Sequence, residues 1–218
     1  FKRAGKTEPE GPDFPGNYLP LKGLGGSGEF LLRERARTWA PFPNNQRKIM
    51  NPKIAVIARV GAHKAFEAVG LKQEKTEVYA TPYGDSRPIH LFRHEGLEFV
   101  VLSRHGEAGY ELSAPYLNPR ANLYALKSLG VDKVLAWVAP GSLNEAMAPG
   151  DLVAPHDVLD EGQGGPHTFY PGVGWGFIRH HPLFCLELRA AMLGALVDVP
   201  FVVHGRAVYV ATTGPRLE

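Results

Sequence analysis

Hydrophobic positions along the chain gather into short runs separated by turn-forming residues, and these runs begin only after Pro52. KIAVIARV (residues 53–60), bounded by Pro52 and Gly61, has the unbroken apolar character of a buried strand. Residues 76–81 and 89–93 read as further strands, with the turn-rich PYGDSRP between them. LEFVVLS (97–103) is a strong strand, and the turn His94-Glu95-Gly96 would pair it with 89–93. RANLYALKSL (120–129) sets apolar residues at 123, 126 and 129 and stops at Gly130, which predicts a helix with a glycine terminator. KVLAWVA (133–139) reads as another buried strand, and 151–159 as a further candidate. Residues 181–196 read as a helix opened by Pro182 in its first turn, and AVYVATT (207–213) as the closing strand.

Strands alternating with helices predict an α/β domain with a mixed central sheet flanked by helices. It occupies residues 53–218. Residues 1–52 differ in kind: they hold seven Pro and seven Gly, with nine Lys/Arg against five Asp/Glu. Proline and glycine at that density interrupt helix propagation and ladder pairing, so an irregular basic arm is expected, with a short helix at 29–39 at most. Two readings of the arm stand: a solvated tail, or a segment that orders on a partner, which Phe14, Tyr18, Phe30, Trp39 and Phe42 favour.

The overall net charge of +2 argues against a general nucleic-acid binder. No apolar run approaches the roughly 18 residues of a membrane helix. The single cysteine, Cys185, excludes an internal disulfide and a thiolate-rich metal cluster, and fits a reducing compartment. The cytoplasm is the default expectation. A start at Phe1 rather than Met would equally suit a processed protein in an organelle interior, or a piece of a longer chain.

In sheets of this class ligands gather at the carboxyl ends of strands. Four such ends carry informative residues: Ala58-Arg59-Val60-Gly61, Ser103-Arg104-His105-Gly106, Ala139-Pro140-Gly141-Ser142 and Thr212-Thr213-Gly214-Pro215-Arg216. Arg104 beside His105 has the makings of an anion clamp, because a guanidinium forks onto phosphate oxygens. The same pair would equally serve as a surface salt-bridge residue beside a neutral histidine.

From Lys53 onward the chain resembles the 5′-methylthioadenosine phosphorylase branch of the trimeric purine nucleoside phosphorylases, methylthioinosine-specific members included. Matching blocks are Thr81-Pro82-Tyr83-Gly84, Ser103-Arg104-His105-Gly106 and Asn118-Pro119-Arg120-Ala121-Asn122. Gly141-Ser142-Leu143, Pro149-Gly150-Asp151, His167-Thr168-Phe169 and Gly214-Pro215-Arg216-Leu217-Glu218 complete the series. The resemblance implies a pentosyltransferase of purine salvage: phosphate attacks the ribose anomeric carbon and the purine leaves. It places phosphate on Arg104 and His105 with an amide donor at Ala139. Phe169, Thr212, Thr213 and Leu217 fall on the nucleoside side. It implies phosphate as co-substrate with no metal or organic cofactor, a structural role for His167, and a homotrimer.

Departures open a second reading. The family's Gly-Gly-Ser/Thr-Gly phosphate turn aligns with Ala58-Arg59-Val60-Gly61, so Val60 replaces a hydroxyl donor and Arg59 offers a compensating charge. The literal Gly25-Gly26-Ser27-Gly28 lies in the arm without a preceding strand. Val138 stands where the family usually has another polar donor. The family chain continues into a helix, a strand with a ribose-contacting Met, and a strand ending in the Asp that handles the base, whereas this sequence ends at Glu218. The fold is therefore expected to be C-terminally incomplete, with an open sheet edge covered by a homotrimer or a hetero-assembly. Two functions follow: a purine or 5′-methylthio-nucleoside phosphorylase with a degraded phosphate site, or an inactive phosphorylase-like accessory subunit. Hydrolysis, with water replacing phosphate, is a third and weaker option.

Overall fold

The computed structural model describes residues 52–162, 168–169 and 181–212. The N-terminal arm, its 29–39 helix, the glycine-rich 25–28 segment and residues 213–218 lie outside the described residues. The elements run β1 (Ile54–Ala58), α1 (Ala62–Ala68), β2 (Gln73–Glu77), β3 (Ala80–Thr81), β4 (Gly84–Asp85), β5 (Ile89–His94) and β6 (Leu97–Ser103). They continue with α2 (Pro119–Ser128), β7 (Lys133–Ala136), β8 (Leu152–Val153), β9 (Asp157–Glu161), α3 (Leu186–Ala195), β10 (Val203–His204) and β11 (Val208–Thr212).

A five-stranded mixed sheet of order β2-β5-β6-β1-β7 forms the centre. β1 is parallel to both neighbours, aligning Ala58 with Ser103 and Ile57 with Ala136. Its continuous apolar run suits a strand covered on both faces. β5 and β6 form an antiparallel hairpin in which His94 faces Leu97. The intervening Glu95 and Gly96 both take positive φ, 47° and 82°. That is the mirror-image turn whose twist matches a hairpin.

Each face of the sheet carries a helix. α2 lays Ala125 and Leu126, with Leu129 and Val131 just beyond it, over Ala55, Ile89, Leu91, Val100 and Leu102. Its start is explained by Asn118, whose side chain accepts from the Ala121 amide at 3.1 Å, followed by Pro119. Gly130, at φ 89°, ends it. On the opposite face α1 sets Phe66 against Phe92 and Phe99, at ring separations of 5.6 and 5.4 Å. Alternation along β5 therefore sends Ile89 and Leu91 toward α2, and His90 and Phe92 toward α1.

Beyond β7, β8 pairs with β10 and β9 with β11, both parallel. Arg189 of α3 bridges the two pairs, donating to the carbonyls of Ala154 and Pro155 and to that of Gly205. The structure departs from the sequence reading in several places, among them the short strands β4 and β10, which were not expected. The strand expected at 76–81 is split into β2, which begins earlier at Gln73, and the short β3. Residues 151–159 divide between β8 and β9 in separate sheets. The last helix starts at Leu186, so Pro182 precedes it rather than opening it. α1 has no counterpart in the periodicity. β7 ends at Ala136 and is an edge strand rather than a buried one, with Val134 38% and Trp137 55% exposed. No helix among the described residues is long and apolar enough to cross a membrane.

Candidate active site

The turns after β1 and β6 form one unit. Parallel pairing brings their carboxyl ends together, and three hydrogen bonds join them: Arg104 N to Ala58 O at 3.0 Å, Gly61 N to Gly106 O at 3.0 Å, and Ala62 N to Ser103 Oγ at 2.9 Å. Gly106, at φ 149°, admits no side chain, because a Cβ there would meet the Gly109 carbonyl oxygen at 2.3 Å. The loop closes on itself through the Glu111 and Leu112 amides, which both donate to His105 O, and the Glu107 amide, which donates to Glu111 Oε1. Arg87 pairs with Glu111 from outside.

Arg104 is half-buried, and its Nε is a buried donor with no partner among the described residues. Burial above all pushes its guanidinium below the ordinary arginine value. The Tyr209 hydroxyl opposes this and the like charge of Arg59 adds to it. Arg59 lies over the Tyr110 ring at 5.4 Å and donates to the Tyr110 hydroxyl. His105 is buried with its ring 5.0 Å from Tyr110, and its Nδ1–H donates to Leu112 O at 2.9 Å. That bond leaves Nε2 as the ring nitrogen available to a ligand. A partly desolvated cation with a second guanidinium in its field, and no carboxylate paired to it among the described residues, is complementary to an anion. Val60 is half-buried in the same turn, and Ala139 is exposed beyond β7.

Three of the sequence blocks converge at a second point. Asn118 Nδ2 donates to Tyr83 O at 2.7 Å, and the Tyr83 hydroxyl donates to Phe169 O at 2.9 Å. Phe169 meets the Tyr83 ring edge-on at 5.3 Å, and the Arg120 guanidinium lies over that ring at 4.9 Å. Phe169 is thus positioned by the Thr81-Pro82-Tyr83-Gly84 turn and by the start of α2. Thr212 ends β11, opposite Glu161. Thr213, Leu217 and His167 lie outside the described residues.

Sequence reasoning missed Tyr209 and Tyr110, which border the arginines. It also missed the buried His63 and His90 with the half-buried Glu107, the one set among the described residues whose donor atoms could converge on a metal ion. A histidine inside the apolar run of β5 was the available signal for that group.

Comparison with known proteins identifies the family of this fold. Residues 53–218 match the family model described as phosphorylase superfamily. The S-methyl-5′-thioadenosine phosphorylase of Pyrococcus horikoshii is 37% identical over 167 residues, covering 76% of this chain and 62% of the relative. The 6-oxopurine nucleoside phosphorylase of Pyrococcus furiosus is 34% identical over 175 residues, covering 77% and 63% respectively. Among solved structures, methylthioadenosine phosphorylase from Schistosoma mansoni in complex with adenine superimposes with a TM-score of 0.68 at 27% identity, covering 77% of this chain and 64% of that one. The chain therefore spans a little under two thirds of the length of these relatives. Sequence and fold together show that the chain belongs to the phosphorylase superfamily.

Proposed function

We propose that this chain supplies the phosphate side of a site that cleaves a purine or 5′-methylthio-nucleoside by phosphorolysis. The observation that carries the reading is Arg104: half-buried, unpaired at Nε among the described residues, and in the field of Arg59. In the reaction a phosphate oxygen forms a bond to the anomeric carbon while the bond from that carbon to the purine nitrogen breaks. The bonding electrons leave with the purine, which takes up a proton. The products are free base and a ribose-1-phosphate derivative. Arg104 and Arg59 would hold the phosphate dianion beneath the sugar, with an amide at Ala139 and the free Nε2 of His105 completing the grip. Phe169, Thr212, Thr213 and Leu217 fall to the nucleoside side. No metal or organic cofactor takes part in this scheme, and phosphate is the co-substrate.

A phosphorylase-like accessory subunit is the second reading. Val60 in the phosphate turn and the exposed apolar edge at Val134 and Trp137 favour it. In the first reading the same edge is covered by further copies in a homotrimer, and native mass separates that from a hetero-assembly. A free, exposed Cys185 fits either reading in a reducing compartment, cytoplasm or organelle interior.

The test is phosphate-dependent release of base from methylthioadenosine and methylthioinosine by the intact protein, beside calorimetric phosphate binding. Arg104→Gln is expected to raise the phosphate KM at least tenfold, because bonds to charged groups contribute about 1.5–3 kcal/mol each. Phosphate binding without turnover would select the accessory subunit. Absence of both would overturn the proposal.

A further inference from the structure

His63, His90 and Glu107 come from three different elements: the first turn of α1, the start of β5, and the loop after β6. They meet beneath the joined turns. Both histidines are buried, at 8% and 4% exposure. Glu107 Oε2 lies 3.3 Å from His63 Nδ1 and 2.7 Å from His90 Nε2. The two imidazoles stack at 4.1 Å.

The protonation pattern around His90 decides what the group can do. Gln73 is oriented by its own amide, whose Nε2 donates to Thr76 Oγ1 at 2.8 Å. Its Oε1 therefore faces His90 Nδ1 at 2.7 Å as an acceptor, and Thr76 Oγ1 lies 3.0 Å from the same nitrogen. The ring proton thus belongs on Nδ1, which leaves a lone pair on Nε2 aimed at a carboxylate oxygen. His63 Nδ1 and His90 Nε2 are buried and both face Glu107 Oε2, while Glu107 Oε1 is buried without a hydrogen bond among the described residues. With the proton on Nδ1, His90 Nε2 and the carboxylate oxygen face one another as two acceptors, an arrangement that a cation between them would satisfy.

We infer that His63 Nδ1, His90 Nε2 and the Glu107 carboxylate form a binding site for a divalent transition-metal ion of the zinc class. The donor set, two imidazoles and one carboxylate, is one that zinc accepts, with a fourth position left for water. All the donor atoms lie within 4.8 Å of one another. An ion bonded at about 2.0–2.2 Å to each would hold them roughly 3.3 Å apart in a tetrahedron. The His63–Glu107 separation already matches, while the His90–Glu107 pair must open slightly and one imidazole must turn out of the stack. Gln73 supplies the acceptor that metal-bound histidines use on their far nitrogen. A bound ion would tie α1, β5 and the Arg104 loop together from below. This inference is independent of whether the arginines above hold phosphate.

The test uses the intact protein, stripped with chelator and titrated with Zn(II) and Co(II). One equivalent per chain is expected, with a tetrahedral ligand-field spectrum for cobalt and a raised melting temperature. His90→Asn and Glu107→Gln should abolish the one-equivalent binding. Gln73→Leu should weaken it about 10–100-fold without changing the spectrum. Failure of the folded wild-type protein to take up a stoichiometric ion overturns the proposal. So does uptake that His90→Asn and Glu107→Gln leave unchanged, which would place the ion elsewhere.

Discussion

The Gly61 amide donates to the Gly106 carbonyl at 3.0 Å, so the turns leaving two parallel strands are one mechanical unit. The two glycines are not equivalent within it. Gly61 sits at φ 58°, where a Cβ would approach the Glu107 carbonyl oxygen at 3.0 Å. Gly106 sits at φ 149°, where a Cβ would overlap Gly109 and Glu111. Gly61→Ala is expected to cost about 1–2 kcal/mol, the ordinary penalty for the left-handed region. Gly106→Ala should cost more, about 3 kcal/mol, because backbone strain and overlap combine there. Urea unfolding of both variants checks the order, and phosphate titration should show the larger loss for Gly106→Ala.

Phosphate affinity should rise when hydroxyl donors are placed at Val60 and Val138. Both side chains are half-buried, in the segments that follow the parallel neighbours β1 and β7. If Arg104 faces a working anion site, Val60→Ser combined with Val138→Thr tightens phosphate about tenfold or more per bond gained. The same pair in an Arg104→Gln background should gain far less. Calorimetry on the four proteins makes the comparison, and equal gains with and without Arg104 would mean the hydroxyls act outside the arginine site.

Much of this arrangement was legible from residue order. The β5–β6 hairpin announces itself through two apolar strands around Glu95-Gly96, and α2 through its apolar positions 123, 126 and 129 and the stop at Gly130. Arg104 could be located because parallel strands deliver their carboxyl ends to one edge. α1 could not, since its seven residues show no amphipathic period and its place is set by Phe66 packing on Phe92 and Phe99. β7 was misjudged because apolar character does not reveal whether a neighbouring strand covers it. Tyr209 and Tyr110 reach Arg104 and Arg59 from other parts of the chain. Only the closed fold brings such side chains together.

Tyr83 joins the Asn118 cap, Arg120 and Phe169, and its functions can be separated. Tyr83→Phe keeps the ring contacts and loses the 2.9 Å bond to Phe169 O, an expected cost of about 0.5–1.5 kcal/mol. Tyr83→Ala also removes the cation–π contact with Arg120 and the edge contact with Phe169, and should cost roughly 2 kcal/mol or more. If Phe169 lines the nucleoside, both variants raise the nucleoside KM while phosphate affinity stays constant. Steady-state kinetics with each substrate varied in turn would reveal the split.

Asp151 gives the chain an acid-sensitive contact away from the arginines. His204 Nε2 lies 2.8 Å from Asp151 Oδ2, and the Ala148 amide donates to the same oxygen at 3.0 Å. The bond from His204 first, and that from Ala148 second, hold the Asp151 carboxyl below the usual aspartate range. A carboxyl depressed on folding stabilises the native state above its unfolded value, about 3.9. That stabilisation is lost as pH falls through the lower folded value. At neutral pH Asp151→Asn should therefore be less stable than wild type. The gap should close progressively below about pH 4. Urea midpoints of both proteins from neutral to acidic pH measure it. A gap that stayed constant into that range would show that the pair contributes through shape alone.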